Sequence, residues 1–136
     1  MNPFFLIGAV ADLLAVAVHG VVGHRLILAR LTNDHLFSTA AFGDAAATRR
    51  VIIVSWHAVT AAFLASAAMM FLLAFGAVTS RPAALFVSAL HAGFLAVGFA
   101  AGSSRIIGLI KRPRLIPVGF FTVMTTVVVM GWLGSR

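Results

Sequence analysis

The stretch VIIVSWHAVTAAFLASAAMMFLLAFGAV, residues 51–78, decides the fold. It holds no Asp, Glu, Lys or Arg, and a helix needs only about 20 apolar residues to cross a bilayer. Three runs of the same kind surround it: Phe4 to Leu28, Ala83 to about Ser104 (with helix continuing as far as Ile110), and Ile116 to Leu133. The breaks between them are Thr32-Asn33-Asp34, Ser80-Arg81-Pro82, and Lys111-Arg112-Pro113-Arg114 ahead of Pro117. Proline is tolerated in the first turn of a helix and not in its interior, so these positions mark boundaries. The pattern predicts one integral membrane domain over residues 1–136, an all-α bundle of four transmembrane helices.

Composition agrees. Of 136 residues, 62% are hydrophobic and only 10% are charged, with a mean hydropathy of +1.10. Soluble domains run at about 45–50% apolar and about 25% charged, and a chain this short cannot hide such a surplus in one water-soluble core. A soluble enzyme and a solvated disordered chain are both excluded. Cysteine is absent, which removes thiolate metal sites, disulfides and thiol catalysis.

The net charge is +7, but the basic residues lie mostly between apolar runs. Anionic lipid headgroups therefore account for them better than nucleic acid does. The first and third connections, with the residues bordering them, carry Arg25, Arg30, Arg49, Arg50, Arg105, Lys111, Arg112 and Arg114; the opposite side has Arg81 and Arg136. Positive charge collects on the cytoplasmic side, so both termini are expected to be non-cytoplasmic in a multi-pass protein of a bacterial cytoplasmic membrane. The long 31–50 connection, with His35, Leu36, Phe37, Ala40, Ala41 and Phe42, reads equally well as a short interfacial helix or as an irregular loop.

Ionisable groups in hydrocarbon are costly, so their positions are informative. Asp12, His19, His57 and His91 fall inside the runs, and His24 falls at an edge. With Arg25 and Val51 as the inner boundary, His19 and His57 each lie about 9 Å deep at 1.5 Å of rise per residue. Asp12 and His91 lie about 12 Å below the opposite face by the same rise. Two pairs are thus expected: His19 with His57 as a cofactor or metal site, and Asp12 with His91 as a proton path or a structural pair. Gly8, Asp12, Ala15, His19 and Gly23 share one stripe of the first helix, while His57, Thr60, Ala61, Leu64 and Ala68 share one of the second. Ser88, His91 and Leu95 begin another on the third. Small residues at such spacing let membrane helices approach closely, so these stripes are expected to face the bundle interior.

Two neutral imidazoles at equal depth suit a haem iron or a transition-metal ion, and Gly20, Gly23 and Ala61 would leave room. His24 would be a third ligand for a bare ion. It is five residues from His19, about 140° round a regular helix, so it joins them only if the helix distorts. Each histidine can instead bond to Ser55, Thr60, Ser88 or a backbone carbonyl and fix helix register.

The runs His19-Gly20-Val21-Val22-Gly23-His24-Arg25 and Trp56-His57-Ala58-Val59-Thr60 resemble a group of small, uncharacterised bacterial four-helix membrane proteins. Those proteins carry a His-Ser-x-x-Gly-Glu-Arg-like run in the first helix and a Trp-His-x-x-Ser/Thr run in the second. The resemblance covers the first half of the chain. It implies that His19, His24 and His57 belong together, and it implies no particular activity. Gly20 stands here where the pattern has Ser, and His24 where it has Glu.

Three roles remain open: a bundle binding haem or a transition metal, a non-catalytic accessory subunit of a larger membrane complex, and a proton-coupled transporter, the last as a homo-oligomer. Catalysis has little support, since neither Gly-x-Ser-x-Gly nor His-Glu-x-x-His occurs. Small multidrug exporters are similar in size but use a membrane Glu, which this chain lacks.

Overall fold

The computed structural model describes residues 1–36, 43–103 and 115–134, apart from a few side chains near the breaks. Its regular elements are all helices: α1 (Pro3–Arg30), α2 (Ala45–Ala74), α3 (Arg81–Ser103) and α4 (Leu115–Leu133). Among the described residues, α1 and α2 are long and apolar enough to cross a membrane, with mean hydropathies of 2.2 and 1.8. Shorter apolar stretches cover Arg81–Val97 and Gly119–Leu133.

Local chemistry sets the helix ends. Asn2 caps α1, its Oδ1 accepting from the backbone N–H groups of Phe4 and Phe5 at 3.1 and 3.4 Å, with Pro3 in the first turn where its missing N–H costs nothing. Asp44 caps α2 by accepting from the Ala47 N–H at 2.7 Å. That cap was not read from the sequence. It starts the helix at Ala45 rather than Val51, so Arg49 and Arg50 are helical. The expected end at Val78 also moves: α2 stops at Ala74, and Gly76 turns the chain with φ +75°, a conformation that glycine adopts without steric cost. Ser80 caps α3 through the Ala83 N–H at 3.3 Å.

Two compact units make up the fold, residues 1–11 with 68–136, and residues 12–67. In the first, Phe5, Ala9, Met70, Leu73, Ala74, Ala84, Val87, Met124 and Val128 form the buried core. Close approach is built in: a Cβ on Gly8 would stand 2.7 Å from the Met70 sulfur, and one on Gly131 would stand 2.9 Å from the Phe5 ring. The interior face of α4 is Met124, Val128 and Gly131, while Gly119, Thr122 and Thr126 are exposed. Thr126 satisfies its hydroxyl on the Thr122 carbonyl at 2.9 Å.

In the second unit, the later half of α1 lies against the first part of α2. Leu28, Phe63 and Ala67 are its buried apolar residues, at 1–2% exposure. The Arg49 guanidinium Nε–H donates to the Leu31 carbonyl at 2.7 Å. Of the 31–50 connection, Asn33–His35 is a single 3-10 turn and Ala45 onward belongs to α2. Phe37, Ala40, Ala41 and Phe42 lie outside the described residues, as do Arg105, the 104–110 extension of α3, and Lys111-Arg112-Pro113-Arg114.

Candidate functional site

The histidines of the second unit sit on an irregular helix. Over Val16–Gly23, α1 winds as a π-helix before a final α turn at His24–Leu26. The segment VAVHGVVG combines β-branched valines with two glycines, the residues least committed to α winding. Bonding from i to i+5 brings residues five apart close to one face, and such segments recur at functional sites. This is the distortion that carries His24 towards the side that His19 also approaches.

Side chains of α2 fill the places the glycines vacate. A Cβ on Gly20 would stand 2.8 Å from Thr60 Cγ2, and one on Gly23 would stand 2.5 Å from Trp56 Cζ2. The room expected there for a cofactor is therefore occupied by Thr60 and Trp56. The Trp56 indole N–H donates to the His19 carbonyl at 3.0 Å, and its ring stacks on the His19 imidazole at 4.1 Å between centroids and 12° between planes. Phe63 closes the other direction edge-on at 6.1 Å.

Thr60 Oγ1 lies 2.9 Å from His19 Nδ1 and 3.2 Å from the Trp56 carbonyl. The hydroxyl thus ties the imidazole to the backbone of α2, and which of Oγ1 and Nδ1 donates between them follows the tautomer of the ring.

His57 is placed differently from the expectation. Its stripe with Ala61, Leu64 and Ala68 is exposed, and the interior face of α2 is Trp56, Phe63, Ser66, Ala67 and Met70. Small residues misled the assignment, because the inward face packs with bulky aromatics. The ring facing His57 belongs to His24, at 5.5 Å between centroids and 34° between planes, with both residues exposed. The chain matches no known family model, no curated protein and no solved structure. What the site can do is argued from its geometry alone.

Among the described residues, no three His, Cys, Asp or Glu side chains converge as a metal-binding group. The expected triad of His19, His24 and His57 is thus not assembled, and the pair His24–His57 is what the fold brings together. Asp12 and His91 are each fully buried at 0% exposure. His91 donates from Nδ1 to the Val87 carbonyl at 2.9 Å within its own helix and meets the Phe94 ring edge-on at 6.5 Å. Ser88 does the same to Ala84 at 2.9 Å. The sequence motif contained Trp56, but its role as lid and donor to His19 was missed. The signal was the pairing of a bulky Trp with Gly23 on a facing helix.

Proposed function

We propose that this is a small multi-pass protein of the bacterial cytoplasmic membrane, four helices with non-cytoplasmic termini, that binds a transition-metal ion between His24 and His57. The observation that carries the reading is the 5.5 Å separation of those two rings. With metal–nitrogen bonds of about 2.0–2.1 Å, two imidazoles on one ion stand about 5.2 Å apart, centroid to centroid, at a tetrahedral angle and about 6.4 Å apart when trans. The observed spacing suits a tetrahedral ion and is short for a haem held between opposed rings. Neutral imidazole favours zinc, copper or nickel over magnesium or calcium. His19, whose Nδ1 and ring face are taken by Thr60 and Trp56, serves as a clamp between α1 and α2 and not as a ligand.

The membrane placement rests on the two long apolar helices and on the eight-to-two partition of basic residues. Because the chain has no cysteine, single introduced cysteines report topology directly. A membrane-impermeant maleimide should label Ser80→Cys in intact cells and Asn33→Cys only after permeabilisation. Metal binding is tested on detergent-purified protein exposed to Zn²⁺ and then washed. Wild type should retain metal, and His24→Ala and His57→Ala should each lose it. Retention by both variants would refute the site, and a haem absorption band in the purified protein would replace the ion with haem.

A further inference from the structure

We infer that the metal site is completed by a second copy of this chain, giving a two-fold dimer in which two His24–His57 pairs hold one ion. This rests on the metal-binding reading above and extends it to the partner. Three observations lead there.

The first is ligand number. A structural tetrahedral site takes four protein ligands, yet each chain presents two imidazoles, and among the described residues no third ligand joins them. Two-fold symmetry doubles any ligand set placed near its axis, because an isologous interface meets itself. Two plus two gives four.

The second is placement. Both rings are exposed on the outside of their unit. At that outer face a shared ion takes up one nitrogen lone pair from each neutral ring. The pair lies near the basic, headgroup-facing end of α1, beside exposed Arg25. Lipid phosphates at that level are available to balance the charge of an ion held by neutral ligands.

The third is shape. The face of α2 that carries His57 continues through Ala58, Ala61 and Ala65, all exposed and spaced by three and four residues. On α1 the exposed side next to His24 continues through Val21 and Ala17. A small-residue stripe in a membrane helix lets a second helix come close. Here it lies alongside the ligand pair, so close packing of the two copies and closure of the site are one event.

The experiment uses the full chain in detergent micelles, titrated with Co²⁺ while its visible absorption and its mass are followed by light scattering. The inference expects saturation at half an ion per chain, the intense absorption of tetrahedral cobalt, conversion of monomer to dimer, and reversal by a chelator. His57→Ala should lose both the absorption and the dimer while keeping its helical circular dichroism. Ala61→Leu, which thickens the stripe and leaves both ligands intact, should remain monomeric and shift the endpoint to one ion per chain with weaker binding. Saturation of wild type at one ion per monomer overturns the dimer and leaves the metal site standing. A metal-dependent dimer unaffected by Ala61→Leu overturns the interface proposed for it. No cobalt uptake overturns both the dimer and the reading it rests on.

Discussion

Replacing Gly23 by alanine should destabilise the protein, although the same change stabilises most helices. A Cβ at Gly23 would stand 2.5 Å from Trp56 Cζ2, well inside van der Waals contact, so the indole must move. Overpacking of this kind costs about 1–3 kcal/mol. Moving the indole also weakens its hydrogen bond to the His19 carbonyl, worth about 0.6–1.7 kcal/mol in a membrane protein, and its stacking on the imidazole, worth about 0.5–1.5 kcal/mol. The opposing gain is the ~1 kcal/mol by which alanine exceeds glycine in a helix interior. The losses win, leaving a net destabilisation of about 1–5 kcal/mol. Gly93 on α3 supplies the control, since a Cβ there meets nothing within 4 Å among the described residues. Gly93→Ala should be neutral or stabilising by up to ~1 kcal/mol. Unfolding both variants in mixed micelles with increasing sodium dodecyl sulfate, read by circular dichroism, compares them on one scale. Equal stability of the two variants would show that Trp56 does not rest on Gly23 and would remove the clamp.

Three other substitutions probe further contacts. Thr60→Val keeps the shape and removes the hydroxyl hydrogen-bonded to His19 Nδ1, so it should cost about 0.6–1.7 kcal/mol; in a His19→Phe background that cost should vanish, as a double-mutant cycle would reveal. Ser66, 3% exposed and, among the described residues, with no hydrogen-bond partner for its Oγ, already bears the desolvation cost of a buried hydroxyl. Ser66→Ala should therefore be neutral or raise stability by about 1 kcal/mol in the same unfolding assay. Asn2→Ala should lower stability by about 0.5–2 kcal/mol, since Asn2 caps α1 and its Nδ2 donates to the Gly131 carbonyl at 2.9 Å; unchanged stability would mean that water replaces the cap.

The helices were legible because hydrophobic runs and proline-marked breaks are one-dimensional signals. The run through Met69-Met70-Phe71 gives α2 whatever its neighbours do. Helix ends were less legible where a single cap decides them. Asp44 needed to be recognised as the start of Ala45-Ala46-Ala47, a sequence with no apolar periodicity to announce it. The π winding of Val16–Gly23 was not legible, because valines and glycines weaken the commitment to α winding without dictating the wider turn. Burial of Asp12 and His91 followed from the cost of exposing them, whereas the facing of α2 did not follow from the size of its residues. Phe63, Ser66, Ala67 and Met70 point inward, and Ala58, Ala61, Ala65 and Ala68 point out.

Register explains why the fold brings His24 and not His19 against His57. The facing helices pair residue 19 with 60, 23 with 56 and 24 with 57, running antiparallel from the first of these contacts to the last. Levelling His19 with His57 assumed that both helices begin at the membrane edge marked by Arg25 and Val51. In the fold His19 meets Thr60 instead, a displacement of three residues, close to one turn, or about 4.5 Å. That displacement places Thr60 opposite His19, where a hydroxyl can only fix the imidazole, and places His57 opposite His24, where a second imidazole can share an ion. A one-turn slip thus separates the histidine that clamps α1 to α2 from the pair proposed as ligands, and places His24–His57 at the end of the π segment.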